Sequence, residues 1–90
     1  MVTANIDIMI TVYAIASINH NYIYVGMTQD LTHRIHRHNT GRERTTKPYL
    51  PFLIIYTEIL PDRVEARKRE KYWKSGVGKE KLRKIRNNLT

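Results

Sequence analysis

The feature that most constrains the fold is a run of nine apolar or β-branched residues, Ile8 to Ala16 (IMITVYAIA). A membrane-spanning helix needs about 18 such residues, so this run is too short to cross a bilayer. An unbroken apolar run of this length is typical of a central strand that is buried on both faces. Turn-forming residues follow from Ser17 to Asn21, and Tyr22 to Gly26 has the pattern of a second strand. The sequence therefore predicts a β-hairpin at the centre of a sheet.

Side chains along the second strand alternate between its two faces. The alternation places Tyr22 and Tyr24 on one face of this strand, and Ile23 and Val25 on the other. Tyr24 can also pair with Tyr13 across the hairpin. Tyrosines in strands are commonly core residues whose hydroxyl is hydrogen-bonded. The alternative is a shallow pocket, opened where Gly26 lacks a side chain.

A first helix is predicted after the hairpin. Thr28 or Asp30 can cap its N-terminus, and Gly41 stands where a C′ glycine belongs. The residues that recur at helical spacing are Leu31, Ile35 and His38. Residues 42–51 contain two prolines among basic and hydroxyl side chains, and we expect an exposed loop there.

A third strand and two further helices complete the predicted elements. The strand spans residues 52–57 (FLIIYT). Asp62, with Glu65 three residues on, forms a variant of the capping box. The helix that follows should run to about Ser75, where a glycine comes next. A short basic helix is predicted over roughly residues 79–85.

The predicted order of elements is β-β-α-β-α-α. It defines the fold class as α+β, with a small three-stranded central sheet flanked by helices. Ninety residues suffice for one domain, so we expect residues 1–90 to form a single domain. The chain contains no cysteine, which excludes a disulfide framework, a thiolate nucleophile and a cysteine-based zinc site. Its first residues lack the features of a signal peptide, and we expect a cytoplasmic protein.

The basic residues are confined to one part of the chain. Sixteen Lys and Arg against eight Asp and Glu give a formal net charge of +8, and all sixteen fall within residues 31–90. Such an excess predicts an anionic polymer or a membrane surface as partner, the alternative being a generic solubilising charge. The second helix offers few large apolar residues opposite its charges, which disfavours the membrane. We therefore expect a nucleic-acid-binding face.

Glu70 is an acidic residue on an otherwise basic helix. Ala66, Glu70 and Trp73 lie at i, i+4 and i+7, on the stripe expected to face the sheet. A carboxylate in that position is costly to bury unless a cation pairs with it, and a divalent metal ion suits its oxygens. The alternative is an ordinary pair with Lys74, worth about 0.2–0.5 kcal/mol. The pattern alone leaves both open.

Arg34 and His38 share one face of the first helix. A guanidinium group matches a phosphate bidentately, and an imidazole can bond a phosphate oxygen or transfer a proton. His33 and His36 lie elsewhere around the helix, so a histidine-rich metal site is not predicted. The alternative is a solvated basic face.

Taken in order, these residues resemble the GIY-YIG nuclease superfamily. Its paired signature is carried by Thr11-Val12-Tyr13 and by Tyr24-Val25-Gly26, although Thr11 and Val12 replace the first glycine and isoleucine. The pattern continues through Gly26-Met27-Thr28, Leu31, Arg34, His38-Asn39, Gly41, Glu65-Ala66 and Arg69-Glu70-Lys71. The resemblance covers residues 9–85. It is greatest to small single-domain members related to the catalytic domain of the excision-repair nuclease.

The resemblance implies a DNA endonuclease that depends on Mg²⁺ or Mn²⁺ and acts in DNA repair. The catalytic residues that it implies are Tyr13, Tyr24, Arg34, His38 and Glu70, with Glu70 as the metal ligand. In this scheme Arg34 donates to the phosphate, and a tyrosine hydroxyl, that of Tyr13, takes a proton from the attacking water. A protein partner or the shape of the DNA would then select the target.

The competing hypothesis is a basic nucleic-acid-binding module that keeps this fold without cleaving. Positive charge supports both hypotheses equally, because Lys and Arg bind any phosphate backbone. Glu70 distinguishes them, since a carboxylate beside a phosphate repels it in a protein that only binds. RNA is the alternative substrate.

Overall fold

The computed structural model describes residues 9–89, and within them the order of elements is the predicted one. The strands and helices are β1 (Ile10–Ser17), β2 (Ile23–Thr28), α1 (Leu31–Asn39), β3 (Phe52–Leu60), α2 (Arg63–Lys74) and α3 (Gly76–Asn87). A short 3₁₀ turn, Lys47–Tyr49, precedes β3. The α+β class is thus confirmed. Ile8, the expected start of the first strand, lies outside the described residues, and no helix among them is long and apolar enough to span a membrane.

The sheet is antiparallel, with β1 in the centre and the strand order β2-β1-β3. This central position agrees with the unbroken apolar run from which β1 was predicted. Tyr13 on β1 stands opposite Gly26 on β2 and Thr57 on β3. An irregularity between Ala14 and Ile15 shifts the register with β3. β2 is therefore an edge strand, with its glycine directly beside a central tyrosine.

The two faces of the sheet carry two separate cores. Helices α2 and α3 cover the face that contains the larger buried cluster, with Ile23, Val25, Ala66, Trp73 and Leu82 among its members. The other face holds the smaller cluster around Tyr13, Ile15 and Phe52, against which Tyr22, Tyr24, Leu31 and Ile35 pack. The predicted division of the β2 side chains into two pairs is confirmed.

The junction of α2 and α3 differs from the expectation in one respect. Helix α2 ends at Lys74 as predicted, but α3 begins at Gly76 rather than near residue 79. Ser75 serves both helices, because its hydroxyl oxygen accepts from the Gly78 N–H. A Cβ atom on Gly78 would lie 2.6 Å from the Cα of Trp73, so the glycine lets α3 pack tightly against the end of α2. Gly76, which was expected to stop α2, is instead the first residue of α3.

The segment between α1 and β3 is less exposed than its polar sequence predicts. The helix ends as expected, with Gly41 at a φ of 76°. The side chain of Thr46 is nevertheless fully buried. The Asn39 side chain also accepts a 2.7 Å hydrogen bond from the Phe52 N–H, joining the end of α1 to the start of β3. The expected exposed loop is therefore wrong at Thr46, because this segment folds back onto α1.

One carboxylate attaches α2 to the sheet. Glu58 on β3 accepts two hydrogen bonds from Arg69, at 2.6 and 3.1 Å, and one from the Trp73 indole at 2.9 Å. A fourth comes from the Tyr56 hydroxyl at 2.8 Å. The bonds from Arg69 are the main reason that the pKa of Glu58 falls to about 2. These contacts hold the helix that carries Glu70 at a fixed rotation.

Candidate active site

The absence of a side chain at Gly26 allows the Tyr13 ring to extend over β2. A Cβ atom at Gly26 would lie 2.6 Å from the Tyr13 hydroxyl oxygen and 3.0 Å from Cε2 of Tyr24. Real Cβ contacts are essentially never shorter than 3.0 Å, so the Tyr13 hydroxyl would have to move. The space at this glycine, which the sequence left open as a shallow pocket, is instead filled by the phenol of Tyr13. The hydroxyl is thus placed above the edge strand.

Three of the expected site residues are in direct contact. The Tyr13 hydroxyl lies 2.8 Å from Nε2 of His38, and both side chains are fully buried. The ring of Tyr24 packs against both, with centroid distances of 5.1 Å to His38 and 6.3 Å to Tyr13. Tyr24 itself is only partly buried. It forms the outer side of the cluster, and the Tyr13–His38 pair forms its floor.

Hydrogen bonds engage both ring nitrogens of His38. Nδ1 lies 2.7 Å from the Thr46 hydroxyl oxygen, and Nε2 lies 2.8 Å from the Tyr13 hydroxyl oxygen. Burial lowers the pKa of His38 below its usual 6.5 and so favours the neutral imidazole. Thr46 therefore orients His38.

Tyr13 is protonated in the free protein. Burial raises the pKa of its hydroxyl well above the usual 10, and the nearby Arg34 guanidinium only partly offsets this effect. The negative charges of Glu43 and Glu70 raise the pKa of Tyr13 further. A buried, protonated phenol is poorly suited to take a proton from water. This finding weighs against Tyr13 and in favour of the partly exposed Tyr24 as the proton acceptor.

Arg34 has a counter-ion that the sequence analysis missed. Its Nε lies 3.2 Å from the Glu43 carboxylate, which is bonded more closely, at 2.7 Å, by Nε of Arg37. The Nε of Arg34 is buried and makes no hydrogen bond, which is true of no other side-chain nitrogen or oxygen buried within residues 9–89. Two guanidinium groups thus share one carboxylate, and Arg34 keeps a donor for an anion. Residues 42–51 have no periodic pattern from which the roles of Glu43 and Thr46 could be predicted.

Glu70 is nearly buried, with 13% of its side chain exposed. Its carboxylate lies 3.3 Å from Nζ of Lys74 and 3.9 Å from Nε of Arg67, so the ordinary helix pair with Lys74 is present. Its negative charge is the weakest of the influences that raise the pKa of Tyr13. Helix α2 itself packs on the larger core, whereas Tyr13 belongs to the smaller one.

The donor set around Glu70 fits a hard cation that keeps most of its water. The described part of the chain contains no group of three His, Cys, Asp or Glu residues that could hold a metal ion. Mg²⁺ is commonly bound through one or two carboxylates, several waters and substrate phosphate oxygens. Glu70 supplies one carboxylate, so a substrate phosphate and water would have to supply the remaining ligands.

The fold and this cluster are those of a known protein family. A family model described as the GIY-YIG catalytic domain matches residues 9–84, and the chain belongs to this family of nucleases. Two relatives, the UPF0213 proteins SAG0778 and gbs0798 of Streptococcus agalactiae, are each 31% identical over 67 residues, which are 73% of this chain and 76% of theirs.

A solved structure supports the same assignment. It is the solution NMR structure of the UPF0213 protein BH0048 from Bacillus halodurans, which is 29% identical in sequence. The match has a TM-score of 0.52 and covers 86% of this chain and 84% of that one. The family resemblance stated from the sequence is therefore confirmed.

Gly26 offers a direct test of how the cluster is built. We expect Gly26→Ala to push the Tyr13 hydroxyl away from His38, to cost about 1–3 kcal/mol of unfolding free energy through overpacking, and to lower cleavage about tenfold. Urea unfolding and plasmid nicking measure the two effects. Gly76→Ala is the matched control, because a Cβ atom there meets nothing within 4 Å. Equal behaviour of the two variants would contradict the close fit at Gly26.

Proposed function

We propose that this protein is a divalent-metal-dependent endonuclease that hydrolyses phosphodiester bonds of DNA. The observation that carries the proposal is the cluster of Tyr13, Tyr24 and His38, in which the Tyr13 hydroxyl and His38 are hydrogen-bonded beneath Tyr24. The charges of Arg34 and Glu70 both act on the pKa of Tyr13, and the buried Nε of Arg34 makes no hydrogen bond. A module that only bound DNA would have no use for the carboxylate of Glu70.

Arg34 is positioned to bind the scissile phosphate. Its Nε has no hydrogen-bond partner within residues 9–89, and its one carboxylate neighbour, Glu43, is already bonded by Arg37. A phosphate oxygen would satisfy that buried donor without breaking an existing hydrogen bond. Charge on this oxygen increases as the attacking oxygen approaches phosphorus, so the guanidinium would stabilise the transition state more than the ground state.

Tyr24 is our candidate for the residue that takes a proton from the attacking water. It is the one tyrosine of the pair that is partly exposed, whereas Tyr13 is fully buried. Its ring is held from below by Tyr13 and His38, which fixes the direction of the hydroxyl.

Glu70 would hold the metal ion. When bound, the ion would supply positive charge at the leaving and nonbridging oxygens. Glu70 contributes a carboxylate whose two salt-bridge partners, Lys74 and Arg67, are both largely exposed and can turn away into solvent. Because the contacts of Glu58 fix the rotation of α2, the Glu70 carboxylate stays in place while Lys74 and Arg67 move.

Metal-dependent nicking of supercoiled plasmid is the experiment that tests the function. We expect the wild-type protein to convert supercoiled to open circular DNA with Mg²⁺ or Mn²⁺, and to stop when EDTA is added. Duplex, single-stranded, flap and branched DNA, with RNA as a comparison, would identify the preferred substrate. Binding of DNA with no cleavage under any metal condition would support the non-catalytic binding module instead.

A further inference from the structure

A second cluster of positive charge lies on α3, away from the five residues assigned above. Lys79, Arg83 and Arg86 are spaced at i, i+4 and i+7, so they share one face of the helix and span about 10 Å along it. They line a cavity of about 240 Å³ together with Asn21, Tyr22 and Ile23 from the start of β2. Three cations thus surround one space that no carboxylate lines.

The contacts of these cations leave their charge uncompensated inside the cavity. Lys79 donates to the Ile23 carbonyl at 2.9 Å, and Arg86 donates to the Asn21 side-chain oxygen at 2.8 Å. Both acceptors are neutral. Arg83 is the one paired with a carboxylate, that of the exposed Glu80 at 2.9 Å, outside the cavity lining. Burial and the charges of Arg83 and Lys74 lower the pKa of Lys79, as expected where like charges are crowded.

The size and place of the cavity fit part of a polymer. Its volume is about eight times the ~30 Å³ that a water molecule occupies in the liquid, enough for a phosphate group with its hydration. Ile23, which also lines it, is the first residue of β2 and stands three residues before Gly26, a separation of about 10 Å along the strand. The cavity therefore lies at the start of the edge strand that carries Gly26 and Tyr24.

We propose that the cavity between α3 and the start of β2 binds the sugar–phosphate backbone of the substrate at a second point, a few nucleotides from the bond that is cut. This inference rests on the proposed function. It makes the substrate a strand long enough to follow the β2 edge from Gly26 to Ile23. A second contact of this kind would orient the backbone across the site, and it carries no sequence preference.

The test measures DNA binding against salt in a background that does not cleave. Fluorescence anisotropy with a 30-base-pair duplex would be recorded for Glu70→Gln alone, with Arg83→Ala/Arg86→Ala added, and with Lys81→Ala/Lys84→Ala added. The last pair removes the same charge from the opposite side of α3 and lines no part of the cavity. We expect the cavity variant to bind about tenfold or more weakly near 0.1 M salt. Its slope of log K against log salt should fall by about 1.8, which is two phosphate contacts at ~0.9 each.

Two results would overturn the inference and leave the proposed function intact. One is an equal loss of affinity and slope in the two double variants while the wild-type protein still cleaves, which would indicate diffuse charge. The other is saturation of the cavity by inorganic phosphate at concentrations that do not weaken DNA binding. Absence of both binding and cleavage in the wild-type protein would instead overturn the proposed function. Thermal melting of every variant checks that each is folded.

Discussion

Replacing Glu70 with glutamine is expected to reduce plasmid nicking about 10³-fold or more. The change keeps the size of the side chain and removes the charge that a divalent cation needs, and a loss of about 4 kcal/mol of transition-state stabilisation corresponds to that factor. DNA binding should persist or tighten, because Lys74 and Arg67 lose the carboxylate that they pair with. Nicking and anisotropy measurements with the same DNA would show the two effects separately.

Glu65→Gln is the matched control for this prediction. Glu65 lies on the same helix and pairs with Lys68 at 3.2 Å, but its side chain is 47% exposed. Such surface pairs contribute at most about 1 kcal/mol, so this variant should cleave like the wild-type protein. Equal cleavage by Glu70→Gln and Glu65→Gln would remove the metal site from the proposed function.

Removing the Tyr24 hydroxyl is expected to have the second-largest effect. Tyr24→Phe should lower the single-turnover cleavage rate by about 10²- to 10⁴-fold, the range for a lost general base, with little change in the urea midpoint. Tyr13→Phe is the comparison. Tyr13→Phe should lower the free energy of unfolding by about 1–3 kcal/mol, because Nε2 of the buried His38 loses its hydrogen-bond partner, the Tyr13 hydroxyl.

The two tyrosine variants separate a proton-transfer role from a positioning role. If Tyr24 takes the proton, Tyr13→Phe should keep measurable single-turnover cleavage at a lower rate, whereas Tyr24→Phe should lose far more of it. The reverse pattern, with Tyr24→Phe near wild type and Tyr13→Phe inactive, would transfer the base role to Tyr13 and contradict the argument from burial.

Much of the fold could be predicted because its signals are local. The apolar run predicted the central strand, and the alternation of Tyr22 to Val25 predicted which residues face each core. Asp30 and Asp62 cap their helices through hydrogen bonds three residues along the chain, which are readable from spacing alone. The start of α3 was not predicted, because Gly78 acts through contact with α2 and not through its own preference.

The site was predictable in its chemistry more than in its geometry. Tyr13, Tyr24 and His38 were expected on pattern and resemblance, and the structure places them in contact. Glu43 and Thr46 were missed because they lie in a polar segment without periodicity, and their roles exist only once that segment folds onto α1. The greater exposure of Tyr24 than of Tyr13 follows from the edge position of β2, which the prediction of a hairpin at the centre of the sheet did not specify.

The four hydrogen bonds on Glu58 bear on how the protein responds to acid. Because its pKa in the folded state is about 2 rather than the usual 4.5, its stabilising contribution is complete above pH 4.5 and is lost only as the pH falls towards 2. Helix α2 should thus stay docked in mildly acidic solution. A loss of cleavage between pH 7 and 5 would then report proton uptake within the reaction centre or its substrate, not a melting of the scaffold.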